Sequence, residues 1–506
     1  MRTIVVGAGS AGAVIAARLT EDARHEVVLV EAGPDYPFAE GAELPADLRD
    51  GRKNSMVRHD WGYIYRATSS RFWSALPMAY PRGRVVGGSS AVNTCIALRG
   101  QPYDYDEWAS MGLPEWSWEH CLPAFKRLER DMDFDNAWHG QEGPIPIRRH
   151  TPSELVPWQA TFLEACAELG FPTCADTNDP TTTGAGPHAM NKVNGERMSA
   201  ARTYLTARVR ARPNLRIVPD TLVRRVRVTN RRAQGVEVER FGRVFTLDAD
   251  RVVLSGGAVA TPGILLRSGI GPRDELARLG VELVAHVPAV GARLLDHPGS
   301  AIFFWPHKAG FSSIEHPIVQ TTNRYGATGS PCPNDMQIQP GSFVPLGPSL
   351  PGVTLAVCLG KPRGVGRIHF PSARPDAAPV LDTRLLDDEQ DAARMREALR
   401  IIGRLARTKA ITAVARVVYP RNPFDKDGEL RAPLRQITGS GYHPSGTVPM
   451  GADSDPHAAT DGRGRVRSIE GLIVADASLM PTIPSSNTNL PSLMIGERFG
   501  EWLREP

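Results

Sequence analysis

The chain has 506 residues, of which 41% are hydrophobic and 23% are charged, and its mean hydropathy is -0.25. This composition is typical of a globular protein and excludes disordered, collagen-like and membrane-spanning classes. The formal net charge is only +4 and the basic residues are scattered, so we expect no nucleic-acid partner. An apolar run begins at the third residue, too early to follow a leader peptide, and we therefore expect a cytoplasmic protein.

The cysteines bear on metals and disulfides. The six cysteines are widely spaced, with no CxxC pair and no histidine at metal-ligand spacing. We expect free thiols and no structural metal.

A strand, a glycine-rich turn, a helix and a second strand open the chain, in the sequence "MRTIVVGAGSAGAVIAARLTEDARHEVVLVEAG". The first strand runs into Gly7, Gly9 and Gly12, and the second ends at Glu31. Such glycines let the backbone approach a pyrophosphate at the helix N-terminus, and an acid about 20 residues further on can bind a ribose hydroxyl. The pattern predicts a dinucleotide site, without distinguishing NAD from FAD.

Three further segments extend this unit. Residues 81–94, "PRGRVVGGSSAVNT", form a glycine- and serine-rich candidate ligand contact. Residues 214–257 alternate apolar and polar residues, which predicts an antiparallel meander followed by the buried strand "RVVL". The run "GLIVADAS" predicts another buried strand that ends near Asp476. Because open α/β sheets bind ligands at the carboxyl ends of strands, these ends are expected to meet around one nucleotide.

The segment 298–440 differs from the preceding segments in its composition and in its predicted elements. It combines proline- and glycine-rich loops, a strand pair around "KPRGVGRIHF" and an amphipathic helix over 387–407. We therefore expect an α/β protein, α+β overall, with a discontinuous Rossmann-like nucleotide-binding domain (1–150, 190–297 and 441–506) and a substrate-binding domain (151–189 and 298–440).

Six motifs in order resemble the glucose-methanol-choline (GMC) family of FAD-dependent oxidoreductases over essentially the whole chain. They are "GAGSAG…VLVEAG", "GRVVGGSSAVN" (83–93), "GAVATPGILLRSGIG" (257–271), "LLDHP" (294–298), "HPSGTVPMG" and "VADASLMPTIPSSNTNLPSLMIGE". The resemblance implies FAD as the cofactor and an antiparallel sheet of the second domain that covers the flavin.

The resemblance also implies which residues contact the cofactor. These are Gly7, Gly9, Gly12, Glu31, Gly87, Gly88, Asn93 and Asp476. Some family members attach FAD covalently through a histidine just before the asparagine of the second motif, where this chain has Val92. Because valine cannot form that bond, we expect non-covalent FAD.

His443, in the loop "GSGYHPSGTVPMG", matches the family's active-site histidine, and Asn487 matches its second active-site position. A neutral imidazole, with an ordinary pKa of about 6.5, can remove the hydroxyl proton of an alcohol while a hydride leaves the carbinol carbon. An asparagine amide can donate a hydrogen bond to the alcohol oxygen as negative charge develops there. Asn489 is an alternative partner.

The remaining candidates have plainer expected roles. His297 and His188 are expected to be structural, and Arg197 and Arg202 to be solvated charges. Most of the tryptophans at 61, 73, 108, 116 and 118 are expected in the core or at an interface.

The favoured function is FAD-dependent oxidation of a small primary alcohol, aromatic or furanic, with oxygen as acceptor and hydrogen peroxide as product. The C-terminal motifs are similar to those of bacterial hydroxymethylfurfural-type oxidases, and choline dehydrogenases share much of the pattern. Three alternatives stay open: a choline-type or other dehydrogenase that uses a quinone or dye, a hydroxynitrile lyase on the same scaffold, and a non-catalytic flavin-binding protein.

Overall fold

The computed structural model of the chain describes residues 1–37, 44–55, 58–66, 77–345, 351–426, 429–431 and 434–505. The β-strands are β1 (Arg2–Val6), β2 (Glu26–Val30), β3 (Ile64–Arg66), β4 (Met78–Ala79), β5 (Glu129–Asp131), β6 (Ile145–Ile147), β7 (Gly184–Pro187), β8 (Lys192–Val193), β9 (Glu196–Arg197), β10 (Leu215–Val218), β11 (Leu222–Thr229), β12 (Arg232–Arg240), β13 (Arg243–Asp248), β14 (Arg251–Leu254), β15 (Ile270–Gly271), β16 (Ala285–His286), β17 (Pro298–Pro306), β18 (Thr321–Tyr325), β19 (Met336–Pro345), β20 (Pro351–Leu359), β21 (Arg367–His369), β22 (Val380–Asp382), β23 (Ala415–Tyr419), β24 (Thr438–Ser440) and β25 (Leu472–Val474).

Helices connect and cover these strands. The α-helices are α1 (Ser10–Leu19), α2 (Ala46–Arg49), α3 (Pro102–Ser110), α4 (Trp118–Leu128), α5 (Pro157–Glu168), α6 (Ala200–Tyr204), α7 (Ala207–Arg210), α8 (Gly257–Arg267), α9 (Arg273–Leu279), α10 (Glu389–Leu405), α11 (Lys409–Val414) and α12 (Asn489–Trp502). Short 3-10 helices span Gly88–Ala91, Pro114–Trp116, Pro152–Glu154, Leu434–Gln436 and Ala477–Leu479.

A five-stranded parallel sheet in the order β10-β2-β1-β14-β25 forms the centre of the nucleotide-binding half. Its inner strands are continuous apolar runs such as "IVV" and "VVLV", as parallel strands covered on both faces require. Helices α1 and α12 pack closely, since a Cβ on Gly496 of α12 would lie 2.8 Å from the Cβ of Val14 in α1. The predicted Rossmann-like unit is confirmed.

The strand ends meet at one edge of this sheet, as predicted. Because β2, β1, β14 and β25 are adjacent and parallel, Gly7, Glu31, Gly256 and Asp476 follow their carboxyl ends side by side. The expected antiparallel meander of three runs is present as β11, β12 and β13, but β10, at the start of the same segment, instead pairs in parallel with β2. The alternation of apolar and polar residues does not show whether a strand joins the parallel sheet or the antiparallel meander.

A seven-stranded sheet covers the other side of the ligand cleft. Its order is β23-β17-β20-β19-β18-β7, and β24 pairs with β17. One face packs on α5 and α10 through buried side chains that include Ile302, Ile338 and Leu355. On β17 the alternate residues Gly299, Ala301 and Phe303 line the cleft. The predicted antiparallel sheet of a second domain is therefore present, and α10 confirms the amphipathic helix.

A smaller sheet of β21, β22, β3 and β4 contains the predicted strand around "KPRGVGRIHF". It joins β3 and β4 to β21 and β22, which lie in different predicted domains, and the domain limits stay a prediction. Across the described ranges no helix is long and apolar enough to cross a membrane.

Two of the tryptophans expected in the core lie there. Trp108 and Trp116 are fully buried, whereas Trp73 lies outside the described residues.

The expectation that Arg197 is a solvated charge was wrong, because its guanidinium is fully buried and donates to backbone carbonyls of residues 47–53 and 91–93. It thereby holds the glycine- and serine-rich loop against the segment before it, while Arg202 is half-buried and pairs with Glu196.

A buried ion-pair network lies apart from the ligand cleft, around β5 and β6. Nδ1 of His139 lies 2.9 Å from a carboxylate oxygen of Asp131, and its Nε2 lies 2.7 Å from Asp176. Burial lowers the pKa of His139, but hydrogen bonds to these carboxylates outweigh it and raise the pKa to about 10. The network contains three carboxylates and two guanidinium groups. The imidazolium supplies the third positive charge, so the buried charges cancel. The network consists of Arg99, Glu129, Asp131, His139, Arg149 and Asp176.

His139→Gln is expected to destabilise the protein by about 3 kcal/mol or more at pH 6, because it leaves three buried carboxylates with only two guanidinium groups to balance them. The pKa of His139 is higher in the folded state, about 10, than its ordinary value of 6.5. Its contribution is therefore full below pH 6.5 and is lost as the pH rises toward 10. The melting temperatures of the His139→Gln variant and of the unaltered protein should converge as the pH is raised from 6 to 9. The variant His457→Gln, at an exposed position, is the control. A difference that grows with pH would contradict the assignment.

Candidate active site

Close backbone contact between two glycine segments forms the floor of the cleft. Gly88 has φ of +51°, and a Cβ there would lie 2.6 Å from the Cα of Gly9, so this position does not tolerate a side chain. Gly7 has φ of +94°, and a Cβ on Gly12 would lie 1.9 Å from the carbonyl oxygen of Gly7. The turn, the close approach and the helix packing thus each require glycine.

The first turn of α1 faces this floor. Its N-cap, Gly9, has no side chain to satisfy the first backbone N–H groups of the helix, so they are free to bind an anion such as a pyrophosphate. Glu31 holds the two loops around it, because its carboxylate accepts from the N–H of Ala8 and of Gly33, both at 2.9 Å. Burial raises the pKa of Glu31 to about 7 although these N–H groups favour the carboxylate.

Asp476 plays a similar part at the end of β25. Its carboxylate accepts from the N–H of Gly257 at 2.8 Å and from the hydroxyl of Thr261 at 2.6 Å. It also caps the short helix that follows by accepting from Ser478 N–H at 2.7 Å. Asp476 therefore fixes the first turn of α8 beside the cleft.

A single cavity of about 820 Å³ extends from the glycine floor to His443 and Asn487. Eight of the ten predicted site residues line it, while Gly12 and Gly87 do not and instead lie close to neighbouring backbone and side chains. The lining residues among them are Gly7, Gly9, Glu31, Gly88, Asn93, Asp476, His443 and Asn487. The glycine floor and the N-terminus of α1, which has no side-chain cap, adjoin this cavity, and this combination fits a dinucleotide such as FAD.

The two predicted catalytic side chains contact each other. Nδ2 of Asn487 lies 3.1 Å from Nε2 of His443, and both side chains are partly exposed on the cavity wall. Asn489, the alternative partner, instead accepts from the hydroxyl of Ser10 at 2.8 Å, beside the glycine floor. The geometry therefore pairs Asn487, and not Asn489, with the histidine.

His297 completes the cluster and was missed as a site residue by sequence reasoning. Its Nδ1 lies 2.9 Å from Nδ1 of His443, and its Nε2 lies 3.0 Å from the carbonyl oxygen of Pro484. The two rings meet edge to face, with centroids 5.0 Å apart. The "DHP" motif was the available signal, but a motif does not show which side chain it faces.

The carboxylate of Asp296 ties both histidines in place. One oxygen accepts the backbone N–H of His297 at 2.8 Å and that of His443 at 2.9 Å. The other accepts the hydroxyl of Tyr80 at 2.7 Å and the hydroxyl of Ser440. Tyr442, just before His443, has φ of +64°, a conformation that such anchoring holds against its intrinsic cost.

Burial keeps both imidazoles neutral. It lowers the pKa of His443 well below 6.5, with further lowering by His297 and by the positive charge of Arg82. Burial likewise lowers the pKa of His297 to about 4. A neutral imidazole at the cavity wall can accept a proton, which an imidazolium cannot.

His188 is fully buried, and neither of its ring nitrogens has a hydrogen-bond partner among the described residues. It is not among the residues that line the cavity. Its position agrees with the expected structural role.

Comparison with known proteins gives the family. Residues 1–299 and 362–496 match the two family models described as GMC oxidoreductase. A 5-(hydroxymethyl)furfural oxidase of Methylovorus sp. (strain MP688) is 34% identical, with 98% of this chain and 97% of that protein covered. An oxygen-dependent choline dehydrogenase of Stenotrophomonas maltophilia (strain K279a) is also 34% identical, with 99% and 94% covered.

Among solved structures, pyridoxine 4-oxidase from Mesorbium loti superposes with a TM-score of 0.89 at 27% identity, covering 99% of this chain and 98% of that one. These matches establish that the chain is a member of the GMC oxidoreductase family, an FAD-dependent enzyme that oxidises alcohols.

Proposed function

We propose that this enzyme oxidises a small, uncharged primary alcohol, aromatic or furanic, to the aldehyde with oxygen as the electron acceptor. The observation that carries the proposal is the contact of 3.1 Å between His443 and Asn487 on the wall of the cavity that begins at the glycine floor. A base and a hydrogen-bond donor thus share one point where an alcohol oxygen can lie.

The proposed chemistry divides between the chain and its cofactor. When bound, FAD supplies the two-electron acceptor for the hydride of the carbinol carbon. Neutral His443 takes the hydroxyl proton at Nε2, and the Asn487 amide donates to the oxygen as charge develops on it. The glycine floor, the first turn of α1 and the loops tied by Glu31 and Asp476 are the residues proposed to hold the cofactor.

The cavity walls favour an uncharged substrate. The carboxylates that line it are Glu31, Asp335 and Asp476, and each accepts hydrogen bonds from its own surroundings. A quaternary ammonium would need a free carboxylate beside an aromatic cage. The lining described here offers none, which argues against choline.

Amide groups provide the polar contacts instead. Gln337 and Gln339 lie two residues apart on β19 and both line the cavity. The Nε2 of Gln337 is buried with no hydrogen-bond partner among the described residues. A substrate with a second oxygen, such as another hydroxyl or a ring oxygen, would satisfy that donor.

Oxygen is favoured as acceptor by the relatives. Two of the three proteins compared above are named oxidases, and the third is named an oxygen-dependent dehydrogenase. We extend this property to the present chain as part of the proposal.

His443→Ala is expected to lower turnover about 10² to 10⁴-fold, because it removes the general base. The yellow cofactor should remain bound, since no backbone contact of the glycine floor changes. Stopped-flow reduction of the flavin measures the effect, with the exposed His457→Ala as the matched control. Turnover of His443→Ala within a few-fold of the unaltered enzyme would exclude His443 as the base.

The cofactor is expected to dissociate when the protein is precipitated with acid. Val92 lines the cavity at the position where a covalent attachment would form, and its side chain has no nucleophilic atom. The supernatant should be yellow, and mass spectrometry of the pellet should give the mass of the polypeptide alone. A yellow pellet with a flavin-sized mass increase would contradict this prediction.

Hydroxymethylfurfural and benzyl alcohol are expected to bleach the flavin without oxygen and to yield peroxide in air, and choline to do neither at equal concentration. Bleaching without peroxide, together with turnover on a dye, would instead identify a dehydrogenase. If no alcohol bleaches the flavin while a cyanohydrin is cleaved, the enzyme is a lyase. Faster bleaching by choline would contradict the uncharged substrate class.

A further inference from the structure

The two imidazoles in contact form the end of a hydrogen-bond chain with a defined direction. We propose that His297 is a positioning residue that keeps the proton of His443 on Nδ1 and so presents a bare Nε2 to the substrate. This inference rests on the role of His443 proposed above, and it concerns how that role is enforced.

The direction is set at Pro484. Its carbonyl oxygen lies 3.0 Å from Nε2 of His297, and a carbonyl can only accept a hydrogen bond. Nε2 of His297 must therefore carry a proton, because otherwise two lone pairs would face each other in a buried place. A neutral imidazole has one N–H, so Nδ1 of His297 is bare.

That bare nitrogen determines the tautomer of His443. The two Nδ1 atoms lie 2.9 Å apart, a hydrogen-bond distance that requires one proton between them. Since Nδ1 of His297 is the acceptor, Nδ1 of His443 must be the donor. Nε2 of His443 is then unprotonated, which agrees with the Asn487 amide nitrogen that faces it at 3.1 Å.

Neutrality is the condition for this argument, and the surroundings supply it. His297 is 1% exposed, and among the described residues no carboxylate oxygen forms a hydrogen bond or ion pair with either ring. The charged groups that act on the pair are the cations Arg82 and Lys361, which disfavour an imidazolium, while the carboxylate of Asp296 binds backbone N–H groups instead of the rings.

Loss of the acceptor at 297 would permit the wrong tautomer. Without it, Nδ1–H of His443 would be buried without a partner, and the proton would shift to Nε2. The Oδ1 atom of Asn487 is buried with no partner among the described residues, so a rotated amide could accept from that Nε2–H. Nε2 would then no longer be available as a base.

The test compares two substitutions in the holoenzyme. His297→Leu is expected to lower the rate of flavin reduction about 10- to 100-fold with little change in KM, because the base is present in the wrong form. His297→Gln offers an amide oxygen to His443 and an amide N–H to Pro484, and is expected to recover most of that loss. Equal rates for both variants and the unaltered enzyme would overturn the proposal.

The double variant His297→Leu/His443→Ala separates this role from a structural one. Because His297 acts through His443, the double variant should reduce flavin no more slowly than His443→Ala alone. A further loss of tenfold or more would show a structural role and overturn the proposal. If His443→Ala itself is fully active, the proposed base is wrong, and that result is distinct from a failure confined to His297.

Histidine ¹⁵N spectra of the holoenzyme give a readout independent of activity. In the unaltered enzyme the His443 signals should show a protonated Nδ1 and a bare Nε2, and in His297→Leu the proton should move to Nε2. Signals are assigned by their loss in His443→Ala. A proton on Nε2 of His443 in the unaltered enzyme would overturn the inference even if the kinetic effects were present.

Discussion

The active site depends on the carboxylate of Asp296 more than on any other single group. It accepts four hydrogen bonds, two from the backbone N–H groups of His297 and His443 and two from the hydroxyls of Tyr80 and Ser440. Such a carboxylate has no lone-pair direction left for a ring N–H, so it fixes the positions of both histidines while it leaves their imidazoles neutral. The histidines remain free to bond to each other and to the cavity.

Strand pairing explains why these two histidines meet. β17 begins just after His297, and β24 ends shortly before His443, and the two strands are antiparallel with Pro298 opposite Ser440. The start of one strand therefore lies beside the end of the other, and residues separated by 146 positions come into contact. The same sheet packs its other face on α5 and α10, so the stability of that core also holds in place the cavity wall that carries His443.

The cofactor end of the cleft obeys a different constraint, the contact of backbone with backbone. Gly88 comes so close to the backbone of Gly9 that a side chain on Gly88 is excluded, and Glu31 and Asp476 use their carboxylates to fix loops. Glu31 and Asp476, which follow β2 and β25, therefore fix the shape of the site and also contribute to its polarity. Deep burial of Glu31 is the cost of that arrangement, as the upward shift of its pKa to about 7 shows.

The sequence by itself determined the nucleotide-binding unit and predicted which glycines and acids, together with the pair His443 and Asn487, lie along one cleft, because glycine spacing, strand runs and short motifs are local properties. Only the tertiary structure decided which strand β10 joins, that Arg197 is buried among carbonyls, and that Asn487 instead of Asn489 reaches the histidine. It also decided that His297 belongs to the site. Each of these depends on the register of strands and the burial of side chains far apart in the chain, which no local pattern of residues encodes.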